Sequence, residues 1–129
     1  MSSNYNMCFA CGKDNPNGLQ MKFSFAGDKY IAEFTPHEYH QSYNNRLHGG
    51  LIATLLDEAM GSYVNELTGK EAVTARIEIR YRQAVPIGEP IKVVGSLIKN
   101  KGRLYEMKGE LFLADGSLAA EATGKVFLA

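Results

Sequence analysis

Hydrophobic and polar residues alternate over most of this 129-residue chain, and such alternation predicts strands that are buried on one face. A polar stretch from 35 to 47 separates two early runs from four later ones, and we interpret it as a loop. Turn residues at 27–28, 100–102 and 115–116 join neighbouring runs into hairpins. The predicted strands cover residues 19–25, 30–34, 73–82, 91–98, 104–113 and 118–128.

One segment follows a helical period instead. Its apolar residues stand at positions 51, 52, 55, 56, 59, 60, 63, 64 and 67, and Gly69 supplies a stop signal. This is the only convincing helix in the sequence, and its apolar face is wide. The sheet must cover that face, because the chain offers nothing else to do so. The pattern therefore predicts an α+β protein with an antiparallel sheet around one helix.

Composition narrows the class of protein. Hydrophobic residues make up 45% and charged residues 22%, as in ordinary globular proteins, and the length predicts one domain over 1–129 with an irregular start over 1–18. Fourteen basic residues balance fourteen acidic ones, which argues against nucleic-acid binding and favours self-association. Apolar runs are too short to span a bilayer, the N-terminus lacks a signal-peptide pattern, and two cysteines make no disulfide scaffold. We therefore expect a cytoplasmic protein without a membrane partner.

Two glycines stand at the start of the helix, where backbone N–H groups lack partners and the helix dipole is positive. Gly49 and Gly50 can offer these donors to a carbonyl oxygen, a phosphate or a carboxylate, because glycine lets a ligand approach closely. The alternative is that they only turn the chain into the helix.

The helix carries two adjacent acids. At about 100° per residue, Glu58 falls in the middle of the polar face, and we interpret it as a solvated surface charge. Asp57 falls at the border of the apolar stripe, where packing would partly desolvate it, as a general base or nucleophile requires. The alternative is a boundary acid that bonds to a neighbouring strand.

Asp57 and Gly49 are eight residues apart, which is about 12 Å along a helix. One thioester or ester carbonyl cannot contact both groups of a single chain. If both act on one substrate, two antiparallel helices must meet, one from each chain of a dimer.

Residues 48–61, HGGLIATLLDEAMG, strongly resemble the signature of hotdog-fold acyl-CoA thioesterases, of the phenylacetic-acid-degradation type and the related mammalian thioesterase superfamily members. CFACG at 8–12 and NPNGL at 15–19 are similar to the N-terminus of one branch of that group. The resemblance extends over nearly the whole chain in the order and length of its elements.

The resemblance implies a hotdog fold, in which an antiparallel sheet of five or six strands wraps around one long central helix. It implies a homodimer with a continuous sheet, often paired into tetramers, and hydrolysis of an acyl-CoA thioester. Coenzyme A enters as part of the substrate, and no metal or redox cofactor is needed. By position, Asp57 would attack the thioester or activate water, Gly49 would donate its N–H to the thioester oxygen, and Thr74 would hold the attacking water.

In that family an Asn or Gln side chain ahead of the catalytic acid commonly helps to bind the carbonyl. Ser42 occupies this place here, so Gln41 is the preferred substitute, with Asn44 nearby as a substrate contact. His48 either braces the loop before the helix or contacts substrate together with Gly50. No Ser or Cys stands beside His48 to complete a catalytic triad.

The acyl pocket should be lined by residues such as Met60, Tyr63 and Tyr81. The basic turn around Gly102, with Lys101 and Arg103, could hold the phosphates of CoA, since in similar proteins this turn lies close to the pantetheine channel. The alternative is a solvated hairpin.

Cys8 and Cys11 form a CxxC motif, but a structural zinc needs four ligands and the sequence has no second CxxC. His37 and His40 could complete a site in principle. We expect packing of the N-terminal loop rather than a metal.

The sequence thus predicts a homo-oligomeric acyl-CoA thioesterase. A non-catalytic acyl-CoA-binding module and an acyl-carrier-protein thioesterase are the alternatives. The acyl group, the choice between nucleophile and general base for Asp57, and the choice between dimer and tetramer stay open.

Overall fold

The computed structural model describes residues 6–129, in which six antiparallel strands wrap around one long helix. The sheet order is β1-β2-β4-β5-β6-β3, so β3 lies at one edge. The elements are β1 (Ser24–Ala26), β2 (Lys29–Phe34), a 3-10 turn (Glu38–His40), α1 (Gly49–Thr68), β3 (Ala72–Tyr81), β4 (Ile91–Lys101), β5 (Leu104–Phe112) and β6 (Leu118–Leu128). The predicted α+β class and hotdog architecture are confirmed. Within residues 6–129, no helix has the length and hydropathy needed to cross a membrane.

Helix α1 buries the predicted apolar stripe against the sheet, apart from Leu67, which is 53% exposed at the last turn. The helix ends as predicted, because Gly69 adopts the left-handed conformation with φ of 72°. The helix and sheet approach closely at Gly95 of β4, where a Cβ atom would overlap the carbonyl oxygen of Ala59. Glycine is therefore required at this point of contact.

The first predicted strand is much shorter than expected. Leu19 and Met21 are buried, as their alternation indicates, but β1 covers only Ser24–Ala26. The backbone N–H groups of Leu19 and Met21 donate instead to carbonyls of Phe9 and Ala10 in the N-terminal segment. Gln20 between them has φ of 52°, which is incompatible with a continuous strand.

A register shift in β3 changes the face on which its first residues lie. The pairing with β6 slips between Thr74 and Arg76, which leaves Ala75 as an extra residue. Before the bulge, Val73 is 54% exposed and Thr74 is partly buried against the helix; after it, Ile77 packs against the core. Uninterrupted alternation along β3 would place Thr74 and Ile77 on opposite faces of the sheet. The bulge shifts the alternation by one residue and brings both to the helix side.

Candidate active site

A cavity of about 570 Å³ opens between the middle of α1, the start of β3 and the N-terminal segment. We call it the acid cavity, because Asp57 and Glu58 both lie in its wall. Its lining residues are Cys8, Cys11, Asp57, Glu58, Gly61, Ser62, Asn65, Glu71, Ala72, Val73 and Thr74. The volume is in the range of pockets that bind small molecules.

Asp57 and Thr74 form the central polar contact of this cavity. The Thr74 hydroxyl donates to Asp57 Oδ1 at 2.6 Å, across the gap between α1 and the edge strand. Because the single hydroxyl proton is used in this bond, the Thr74 oxygen keeps lone pairs that can accept a hydrogen bond from a water molecule. A water bound there would lie beside a carboxylate that can take its other proton.

Glu58 is not the solvated surface charge that the helical period predicts. The N-terminal segment lies across this part of the helix, and Glu58 is partly buried with the Cys11 thiol as its hydrogen-bond donor. Burial raises the pKa of the Glu58 carboxyl; the Cys11 hydrogen bond opposes that rise, and the charge of Asp57 adds to it. Burial also raises the pKa of the Cys11 thiol, and Glu58 raises it further.

The start of α1 forms a second, smaller cavity of about 280 Å³, here called the helix-start cavity, with Gly49, Ser42, Tyr43 and Tyr81 among its lining residues. Across residues 6–129, no acceptor contacts the N–H of Gly49. The carbonyl of Gly49 accepts from the Tyr81 hydroxyl at 2.9 Å. One lining residue of this cavity, Gly49, therefore has an N–H that is free to donate, while its carbonyl is held by the Tyr81 hydroxyl.

His48 caps the helix, as the bracing interpretation predicts. Its Nδ1 accepts from the N–H of Gly50 at 2.8 Å. The N–H of Gly50 is therefore already used. Of the two glycine donors that the sequence offers to a ligand, Gly49 alone keeps its N–H available.

The two halves of the predicted site do not meet within one chain. Asp57 lines the acid cavity and Gly49 lines the helix-start cavity, with two turns of α1 between them. The separation of about 12 Å along the helix axis is therefore retained in the folded chain.

Gln41 and Asn44 lie in the loop ahead of the helix start. Gln41 Oε1 accepts from the backbone N–H of Asn45 at 2.7 Å, and Gln41 pairs with Leu47 in an isolated bridge. Asn44 is exposed. Gln41 directly precedes two residues that line the helix-start cavity, so its side-chain amide lies at that end of the helix and not beside Asp57.

Met60 and Tyr63 are core residues and do not line the acid cavity, so their place in the acyl pocket stays a prediction. Met60 is fully buried and Tyr63 is 5% exposed. The Tyr63 hydroxyl donates to the carbonyl of Asp28 at 3.1 Å, and its ring packs against Phe25 and Tyr30. These contacts place the ring against the first hairpin of the sheet.

The basic turn lies at the same end of the sheet as the start of β3, which lines the acid cavity. Gly102 turns the chain with φ of 62°, and Lys101 is exposed. The Arg103 guanidinium donates twice to the carbonyl of Leu128, at 2.8 and 3.2 Å. Leu128 pairs with Ala72, which lines the acid cavity.

The sequence reasoning missed Glu58 and the two cysteines as parts of this cavity. The available signal was a CxxC motif together with an acid directly after Asp57. The cysteines reach Glu58 only because the N-terminal segment folds across the helix. Hydrophobic periodicity does not predict where that segment lies.

Comparison with known proteins identifies the family. The sequence profile of the thioesterase superfamily matches residues 44–120, which is more than half of the chain. The chain therefore belongs to the thioesterase superfamily. No curated protein matches the sequence.

Solved structures show the same fold. Thioesterase superfamily member 2 from zebrafish is 25% identical with a TM-score of 0.80, over 97% of this chain and 94% of that one. The thioesterase superfamily protein RHA08564 is 27% identical with a TM-score of 0.81, over 92% of this chain, which spans only 58% of that protein's length. A Streptococcus mutans protein, smu.793, solved bound to acetyl CoA, is 24% identical with a TM-score of 0.76, over 84% of this chain and 88% of that one.

Proposed function

We propose that this protein is an acyl-CoA thioesterase that hydrolyses a thioester to a free acid and coenzyme A. The observation that carries the proposal is the 2.6 Å hydrogen bond from Thr74 to Asp57 in the wall of an open cavity. It supplies a carboxylate base and a hydroxyl oxygen that together can hold a water molecule. Membership in the thioesterase superfamily and the acetyl CoA bound to a protein of the same fold support this substrate class.

The reaction requires a donor for the thioester oxygen, and we propose that Gly49 of a second chain supplies it. Asp57 takes a proton from the water while the water oxygen attacks the carbonyl carbon. The N–H of Gly49 stabilises the negative charge that develops on the carbonyl oxygen. The carbon–sulfur bond then breaks and CoA leaves as the thiolate. Direct attack by Asp57 is the alternative, but the position of Thr74 favours the water route.

The edge strand suggests how two chains would combine their halves. In β3, Thr74 contacts Asp57 and Tyr81 contacts Gly49, so this strand reaches both cavities. An unpaired edge strand can pair with a second copy of itself across a two-fold axis. If that axis lies between Ile77 and Glu78, Thr74 of one chain stands opposite Tyr81 of the other. The acid cavity of one chain would then face the helix start of its partner.

The direct test is thiol release from aromatic and aliphatic acyl-CoAs and from an acyl-carrier-protein thioester. Wild type and Asp57→Asn are compared, with Asp14→Asn as a control at an exposed site. We expect Asp57→Asn to lose about 10²-fold or more in rate, as for a positioned general base, and Asp14→Asn to match wild type.

Three results would contradict the proposal. Full activity in Asp57→Asn would remove the carboxylate from the mechanism. If wild type hydrolyses nothing while an acyl-CoA raises its Tm, the protein is a binding module instead. A preference for the carrier-protein thioester would replace CoA as the substrate class.

A further inference from the structure

Three side chains that commonly bind metal ions meet in the wall of the acid cavity. Cys8 and Cys11 come from the N-terminal segment, and Glu58 comes from α1. Two sulfur atoms and one carboxylate oxygen from these residues all lie within 4.8 Å of one another. Tetrahedral zinc with bonds of about 2.3 Å holds two thiolate sulfurs roughly 3.8 Å apart, so a contraction of about 1 Å would be enough to bind the ion.

The backbone holds the two cysteines on one tight turn. The N–H of Gly12 donates to the carbonyl of Cys8 at 2.9 Å, and a Cβ atom at Gly12 would overlap the backbone of Cys8. The intervening segment is tied to the core, because Phe9 and Ala10 accept hydrogen bonds from the stretch that follows the turn. Both sulfurs are thus positioned before any ion binds.

The charge around the cluster also favours a cation. The acid cavity contains the carboxyl groups of Asp57 and Glu58, and none of its described lining residues is a lysine or arginine. The hydrogen bond from Cys11 satisfies part of Glu58 without a metal. The Cys8 thiol in turn contacts the Cys11 thiol, so the three side chains form one connected group. A bound cation would offset the charge of Asp57 and Glu58, for which the described lining offers no basic side chain.

We propose that Cys8, Cys11 and Glu58 bind one Zn²⁺ per chain. Two thiolates and a carboxylate are ligands that zinc accepts, and the sulfurs select against Mg²⁺ and Ca²⁺. Both thiols release their protons on binding. Because all three residues line the acid cavity, a water molecule from that cavity can supply the fourth ligand.

The site differs from the one that the sequence allowed in principle. His37 and His40 lie together at the 3-10 turn, with ring centroids 5.6 Å apart, and the cluster of Cys8, Cys11 and Glu58 contains no histidine. The third ligand is instead an acid of the helix. Zinc would therefore fasten the N-terminal segment to α1 directly beside Asp57.

Zinc binding can be measured without substrate, so its failure is distinguishable from failure of the proposed thioesterase activity. The full-length protein, reduced and stripped of metal, is titrated with Zn²⁺ in competition with a chromophoric chelator. We expect one equivalent bound and a higher Tm with zinc. Co²⁺ in place of Zn²⁺ should give a thiolate-to-cobalt charge-transfer band in the near ultraviolet.

Variants assign the ligands. Cys8→Ser, Cys11→Ser and Glu58→Gln should each weaken zinc binding by about tenfold or more. His37→Ala, which removes one ring of the histidine pair, should bind zinc as wild type does. The proposal is overturned if wild type binds no zinc, if Co²⁺ shows no thiolate band, or if the serine variants retain full affinity.

Discussion

The two ends of the proposed site on helix α1 differ in charge and in construction. Around Asp57 the chain collects carboxyl groups and thiols from three parts of the sequence, with no lysine or arginine in the described lining of the cavity. At Gly49 it presents a backbone N–H, at the positive end of the helix dipole, that has no acceptor among residues 6–129. A thioester hydrolase needs both a base and a donor for the developing oxyanion, and one chain keeps them two helical turns apart. This separation indicates that Asp57 and Gly49 can act on one thioester only when the α1 helices of two chains lie antiparallel.

Among the changes that test these two ends of the site, removal of the Gly49 N–H should lower kcat the most. Proline lacks an N–H but fits the first helical position, and His48 already has the extended conformation that precedes proline. Gly49→Pro should lose about 10²- to 10³-fold in kcat, with the fold retained. Gly49→Ala is the control, since it keeps the N–H and its Cβ meets the Tyr81 ring at an ordinary 3.6 Å. Equal rates for the two variants would exclude the donor role.

A substitution at Thr74 tests the Asp57 end of the proposed site. Thr74→Val removes the hydroxyl that bonds Asp57 at 2.6 Å while it keeps a similar shape. We expect a loss of roughly tenfold or more in kcat, because a hydrogen bond to a charged group contributes about 1.5–3 kcal/mol. Thr74→Ser retains the hydroxyl and should recover most of the rate. A Val variant as active as the Ser variant would mean that the hydroxyl holds no water.

A change at the contact between β4 and the middle of α1 should lower the stability of the protein and leave the reaction rate unchanged. A Cβ atom in Gly95→Ala would overlap the backbone of Ala59, which cannot move aside like a side chain. The free energy of unfolding should fall by about 1–3 kcal/mol, as measured by chemical denaturation. The kcat of the folded fraction should stay near that of wild type. A variant of unchanged stability would show that the helix and sheet can separate locally.

Loss of the Tyr81 hydroxyl should have the smallest effect on kcat and on stability. Tyr81→Phe removes one exposed hydrogen bond to the Gly49 carbonyl, and such a bond contributes about 0.5–1.5 kcal/mol. The Tm should fall by a few degrees at most, and kcat by less than Gly49→Pro causes. A loss as large as that of Gly49→Pro would show that the hydroxyl itself contacts the substrate.

Regular elements were predicted well where one pattern continues without interruption. The apolar stripe and Gly69 predict the helix that ends at Thr68, and the last strand spans residues 118–128 as expected. Prediction failed where a single residue breaks the period. The left-handed backbone of Gln20 shortens the first strand, and the extra residue Ala75 moves Thr74 to the helix side. Neither event leaves a signal in hydrophobic spacing.

The candidate site was predictable only in part, for a related reason. The helical period placed Asp57 at the border of the core, and the resemblance to thioesterases supplied its role. The period also placed Glu58 in solvent, because it contains no information on what covers the polar face. The N-terminal segment covers it, and that contact depends on hydrogen bonds far from the helix, such as the one from Leu19 to Phe9.

Mixing two inactive variants tests the central claim most directly. Asp57→Asn and Gly49→Pro are each purified, combined under conditions that exchange subunits, and assayed for thiol release, with hybrid formation followed by native mass spectrometry. Each hybrid dimer has one site with both lesions and one site with neither, so random exchange should restore about one quarter of wild-type activity. If hybrids form and activity does not return, Asp57 and Gly49 do not act on one thioester from two chains.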